Sequence, residues 1–193
     1  MPYPAGHRDR VRHKIVDSAR RLFNRRGFEN VSVDSIMAHA GLTRGGFYSY
    51  FDSKSDLYVE VLGCFFTDPD WKNQWEGVEV DLTAEAGPQI VRAYLSRQHF
   101  DNVENSCPMV ALPNDVARSD ETVQAAFKNV FQAMVTLLAR DVKNGAESND
   151  DTAMAIAAMC IGGMVVARSI NDRSLSDRLR EAAMNVALRL GGW

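Results

Sequence analysis

Apolar residues return at helical spacing through most of the chain. Between Asp9 and Arg26, the residues Val11, Ile15, Ala19, Leu22 and Phe23 recur with that period while Arg and Lys fill most of the remaining positions, which predicts an amphipathic helix. Gly27 stands where a helix-ending glycine does, and Phe28 is placed to pack back against the helix it follows. Ser32 is a good N-cap for a second, short helix in which Ile36 faces inward with Met37 or Ala40, and Ala40-Gly41 supplies the next turn. Thr43 caps a third helix, Arg44 to Tyr50. Ser53, with Asp56 three residues on, makes a capping box for a fourth helix carrying Leu57 and Val61 on one side.

Asp68-Pro69-Asp70 breaks or restarts a helix, Trp71 and Trp75 lie one turn apart, and residues 77–83, despite an alternating stretch, are read as loop. Pro88 fits the first position of a helix whose apolar side is Ile90, Val91, Tyr94 and Leu95 and which runs to about Phe100. Cys107-Pro108 has the form of an N-cap and first residue of a short helix through Val116. Asp120 starts a long helix with Val123, Phe127, Val130, Phe131, Met134 and Leu138 on its core side. A helix from Thr152 to Ile170 is rich in small residues, and the last helix repeats Leu175, Leu179, Ala182, Val186 and Leu190 close to a heptad seam. About nine helices and no strand are expected, an all-α fold.

Two glycines in the first turn of the Arg44–Tyr50 helix cost about 1 kcal/mol each relative to alanine, so something other than helix stability selects them. Glycines at a helix N-terminus let the backbone approach a bulky partner, and the N–H groups there attract phosphate. Charge points the same way. Residues 1–54 carry ten Lys/Arg against five Asp/Glu, a net +5, which leaves −8 for the rest of a chain whose total is −3. A basic front on an acidic body suits a polyanion at one end.

The 46% hydrophobic content is ample for a packed core. No apolar segment follows the charged N-terminus as a leader requires, and the least polar run, Ala153 to Ala167, is shorter than the roughly 20 residues that span a bilayer. A cytoplasmic location and no membrane partner are therefore expected. Cys64, Cys107 and Cys160 lie far apart with no CxxC pair, which argues against a zinc site and a disulfide framework. No metal and no cofactor are expected.

The basic first helix ending in Gly27-Phe28, Val33 and Ile36 ahead of Ala40-Gly41, and the run Thr43-x-Gly-x-Phe47-Tyr48-x-Tyr50-Phe51-x-x-Lys54-x-x-Leu57 resemble the DNA-binding domain of the TetR (tetracycline-repressor-like) transcriptional regulators. The resemblance covers about the first third of the chain. It implies an all-helical fold: a helix-turn-helix domain, here residues 1–54, and a larger domain, 55–193, that dimerises through a four-helix bundle at its C-terminal end and binds a small-molecule effector.

A recognition helix enters the major groove by its N-terminal end, so Thr43, Arg44, Gly45 and Gly46 meet base edges first, with Tyr48 beside them and Arg44 placed for a bidentate contact to guanine. Ser32, Tyr48, Tyr50 and Lys54 are candidate phosphate contacts, a role the resemblance implies for Tyr48 and Lys54. Phe47, Phe51, Ile36 and Leu42 read as core. The N-terminal stretch with His7, Arg8, Arg10, Arg12 and His13 either lies near the DNA or is merely solvated. Ala158, Gly162, Met164, Leu175, Leu179, Val186 and Leu190 are the candidate dimer interface, a buried intramolecular hairpin being the alternative.

Tyr94 to Arg118 also resembles a subgroup with a cysteine at the start of the sixth helix, reactive in some members toward electrophiles or oxidants. Cys107, at a helix N-terminus with His99 upstream, is either such a sensor or an inert buried cap. The other sensor reading is a noncovalent pocket drawing on Trp71, Trp75, Phe100, Phe131, Met134 and Met159. These features predict a dimeric repressor of a pseudo-palindromic DNA operator, released by a small-molecule or thiol-reactive signal. The competing class is a thiol-dependent enzyme using Cys107 as nucleophile and His99 as base, for which no third orienting group is found.

Overall fold

The computed structural model describes residues 6–67, 81, 83–143 and 149–193. Among them the fold is all-α. In chain order the helices are α1 (His7–Arg26), α2 (Val33–His39), a 3₁₀ helix (Arg44–Ser49) where the recognition helix is predicted, α3 (Lys54–Thr67), α4 (Ala86–Tyr94), α5 (Arg97–Asp101), α6 (Pro108–Ala111), α7 (Pro113–Ala117), α8 (Glu121–Ala139), α9 (Asn149–Ser169) and α10 (Arg173–Gly191). The eleven described helices exceed the expected nine because two predicted helices are each divided. Ser96 interrupts the helix expected to run to Phe100: its hydroxyl accepts from His99 N–H and caps α5 as a new start. Pro113, lacking an N–H, restarts the segment after Cys107-Pro108 as α7.

The chain forms two compact units, Met1–Asp68 with Val103–Phe127, and Pro69–Asn102 with Lys128–Trp193. In the first, Ile15, Ala19 and Phe23 of α1 are fully buried, and Gly27 ends the helix at φ 77° with its N–H on the Phe23 carbonyl. Phe28 then turns back as predicted, 5.4 Å from the Phe23 ring and stacked at 4.6 Å on Tyr58. Burial first, and the Asp115 carboxylate second, push the Tyr58 phenol above its ordinary range. Residues 103–117 are tied to α1: the Asn24 side-chain amide donates to the Ser106 carbonyl at 2.8 Å, and Asp115 accepts from Phe28 N–H at 2.9 Å.

In the second unit α9 buries Ala153, Ile156, Ala157, Cys160, Met164 and Ala167, the inner stripe of a helix that is apolar nearly all round. At 21 residues α9 extends beyond the run read from sequence, and by length and composition alone it could cross a membrane. Gly163 lets α10 come close, because a Cβ there would stand 3.0 Å from that of Ala183. Trp193 closes the unit, its indole N–H donating to the Asp141 carbonyl at 2.7 Å while its ring lies against Gly87 at the start of α4. The stretch from 68 to 80, which holds Trp71 and Trp75 and most of the segment read as loop, lies outside the described residues.

Candidate nucleic-acid interface

The Ser32 hydroxyl accepts from Ser35 N–H at 3.1 Å and starts α2, a cap worth about 1 kcal/mol. At the other end Leu42 N–H reaches the Met37 carbonyl at 2.8 Å and Gly41 N–H the Ala38 carbonyl at 3.0 Å, a Schellman stop. That stop needs a left-handed residue, which Gly41 supplies at φ 65°. Thr43 follows in extended conformation, and the chain enters the recognition helix.

The helix expected at Arg44 to Tyr50 is present as a tight 3₁₀ turn, bonded from Gly46 N–H to the Thr43 carbonyl and from Tyr50 N–H to the Phe47 carbonyl. Two glycines and six residues hold too little helical propensity to favour one form over the other, so packing decides. In three-residue turns positions i and i+3 share one edge, so Gly45 and Tyr48 lie along the same side of the helix. Phe47 is fully buried and Phe51 nearly so, as expected for core, whereas Leu42 is only half-buried. Thr43, Arg44 and Gly45 are exposed, and Tyr48 stands 63% exposed with its ring braced edge-on against Phe47. A Cβ on Gly45 would meet nothing within 4 Å, and one on Gly46 only the tip of Met37. Neither has a positive φ, so neither glycine is required by the free fold.

The polar residues differ in how far they are already engaged. Arg44 pairs with Asp34 at 3.1 Å, both side chains being largely exposed, an interaction weak enough to exchange for a base or phosphate. Lys54 is turned inward, donating to the carbonyls of Phe28 at 2.9 Å and Val31 at 3.2 Å and lying 4.1 Å over the Phe28 ring. It closes the loop before α2 and has a single N–H left to offer outward. Ser53 and Asp56 form half of the predicted box at the start of α3: the Ser53 hydroxyl accepts from Asp56 N–H at 3.0 Å, but it donates to the Asp56 carboxylate at 2.9 Å in place of the Ser53 backbone N–H.

Pattern reading missed a cluster behind the helix. The N-terminal stretch is already helical from His7, and Arg8, though exposed, and the half-buried Arg12 both reach the C-terminal end of the 3₁₀ helix. Arg8 Nη2 donates to the Ser49 carbonyl at 3.0 Å and Arg12 Nη1 to the Tyr50 carbonyl at 2.6 Å. Arg12 also grips both carboxylate oxygens of Glu60, its Nε at 3.0 Å from Oε1, and its guanidinium lies 4.3 Å over the Phe51 ring. These partners are 38 to 48 residues away in sequence, so no local signal announces them.

The sensor candidates divide between the units. Cys107 is fully buried at the start of α6 in the first. His99, Phe100, Phe131, Met134 and Met159 belong to the second. Phe100, Phe131 and Met159 are half-buried and Met134 is core, while the Arg180 guanidinium lies 5.0 Å over Phe100. The His99 Nδ1–H donates to the Tyr94 carbonyl at 2.6 Å, and burial above all lowers its pKa to about 4, helped by the nearby Arg168 charge and opposed by the Tyr94 bond. Such an imidazole is a poor base at neutral pH, which weighs against a thiol enzyme built on it. Burial likewise pushes the Cys160 thiol up to about 12.

On α9 and α10, Ala158, Leu175, Val186 and Leu190 are exposed and Leu179 and Gly162 partly so, as an unpaired face presents them, joined by Met154 and Val166. A Cβ on Gly162 would meet nothing of its own chain. Met164 is the exception among the interface candidates. It is wholly buried within its own unit, on the same side of α9 as Ala153, Ile156, Ala157, Cys160 and Ala167.

A basic helical head that holds α2 and an exposed short helix across the Gly41 turn has the geometry of a helix-turn-helix. Residues 15–61 match the family described as bacterial regulatory proteins, tetR family, and the helix-turn-helix is of that type. The chain is 44% identical over 51 residues to the HTH-type transcriptional regulator AcrR of Shigella flexneri, covering 26% of this chain and 24% of that protein. It is 30% identical over 56 residues to the biofilm operon icaADBC negative transcriptional regulator IcaR of Staphylococcus aureus, covering 29% and 30%. The alignments thus span about a quarter to a third of these relatives. The reduced form of E. coli NemR superposes with a TM-score of 0.72 over 94% of this chain and 97% of that one, at 19% identity, which establishes a shared fold.

Proposed function

We propose that the chain is a dimeric cytoplasmic transcriptional repressor that reads a pseudo-palindromic DNA duplex with one recognition helix per subunit and lets go when its helical body binds a signal. Residues 1–54 are the reading head and 55–193 the effector-binding and dimerising body. The observation that carries this reading is Gly45: no neighbour and no dihedral asks for glycine there, so the room it leaves serves a partner outside the chain. Thr43, Arg44, Gly45 and Gly46 meet the bases, Tyr48 reaches beside them, and Ser32, Tyr50 and the remaining Lys54 donor face phosphates.

The signal is a small molecule or a thiol reagent. Because Cys107 has no exposed surface, an adduct there requires its segment to open, and a noncovalent effector is the reading the structure favours. Release by an alkylating agent that disappears in Cys107→Ser would overturn that preference. DNA binding itself is tested by fluorescence anisotropy on a duplex from the protein's own upstream region. Arg44→Ala and Tyr48→Ala each lower affinity roughly tenfold or more, and wild-type affinity falls steeply with salt. Indifference to both changes contradicts the reading.

A further inference from the structure

The last carbonyls of a helix have no partner within it and form its negative end. In the recognition helix the terminal carbonyls, those of Ser49 and Tyr50, each receive an arginine from α1, Arg8 and Arg12 respectively. Arg12 is fixed in three ways: a two-point grip on the Glu60 carboxylate of α3, a bond to Tyr50, and the Phe51 face beneath its guanidinium. A planar fork held like this is not a flexible cation waiting for phosphate. It is a strut between α1, α3 and the C-terminal end of a 3₁₀ turn too short and too glycine-rich to hold its own pose.

Resting on the DNA-reading function above, we propose that Arg12 is a positioning residue for recognition, aimed by Glu60 and assisted by Arg8, which sets the angle at which Arg44 and Tyr48 meet the groove. It acts through the helix and not by touching DNA. The two roles give opposite signs on Glu60. Removing an acidic charge from a basic head strengthens or leaves unchanged the attraction for DNA if Arg12 is a phosphate ligand. It weakens binding if Glu60 holds the strut.

The test uses the full chain and the duplex that the wild-type protein enriches from a random-sequence pool. Glu60→Gln and Arg12→Lys, which keeps the charge but loses the fork, each weaken binding about three- to tenfold, a fraction of one base contact. In Arg12→Gln the salt dependence keeps its wild-type slope, whereas loss of a phosphate contact lowers it by about 0.9 per phosphate. Without DNA, the amides of Tyr50 and Phe51 exchange hydrogen faster in Glu60→Gln and Arg12→Lys than in wild type. Equal or tighter binding by Glu60→Gln, with unchanged exchange at these amides, overturns the proposal. A wild-type protein that enriches no duplex overturns the DNA-reading function, and the exchange measurement then still decides whether the strut holds the helix.

Discussion

Gly45 has a φ that any residue adopts and open space where its side chain would stand. Gly45→Ala therefore leaves thermal stability unchanged or raises it by up to about 1 kcal/mol, since alanine is the better helix former. It nevertheless lowers affinity for a bound duplex roughly tenfold, because the added methyl projects into open space at an exposed position of the helix proposed to enter the groove. A variant that is both less stable and unchanged in binding would show that the glycine serves the fold. His99 carries a second residue-scale prediction. Its folded pKa is depressed to about 4 against an unfolded value near 6.5, so as pH falls the unfolded chain takes up the proton first. Stability is full above about 6.5, declines by up to about 3 kcal/mol as pH falls to about 4, and levels off below. Urea denaturation of wild type and His99→Gln across that window separates this contribution, and parallel curves would exclude it.

Among the elements, those with local chemistry were legible. Ser32, Gly27, Gly41 and the Ser53 cap act where the pattern placed them, because a cap or a left-handed glycine works within four or five residues of its own position. The 3₁₀ form of the recognition helix was not legible, since its choice depends on Phe47 and Phe51 entering the core. Nor was the inward turn of Lys54, whose acceptors lie 23 and 26 residues upstream. On α9 the pattern failed for a different reason: an apolar residue on either side reads alike, so Met164 was placed on the outer face and lies on the inner one. The outer faces of α9 and α10 give the element-scale prediction. Val186→Glu, at an exposed position, leaves the monomer fold intact by circular dichroism and shifts a dimer to monomer in sedimentation. A dimer that survives Val186→Glu paired with Leu175→Glu would move the interface elsewhere.

Across the whole molecule, the first compact unit extends beyond residues 1–54, because it takes in α3 and the segment Val103–Phe127. Asn24, Arg25 and Phe28 are bonded to Ser106, Glu104 and Asp115, so a signal that displaces that segment acts on the unit that carries the recognition helix. A ligand alters DNA affinity only by preferring one arrangement, and under the proposed function a change in these bonds is what such a preference would have to bring about in α1. The central claim is that two such heads read one symmetric duplex. Selection from a random-sequence duplex pool followed by sequencing tests it most directly. The account predicts an inverted repeat whose half-sites lie one helical turn of about 34 Å, or a multiple, apart. No enrichment, or enrichment of a site without two-fold symmetry, would contradict it.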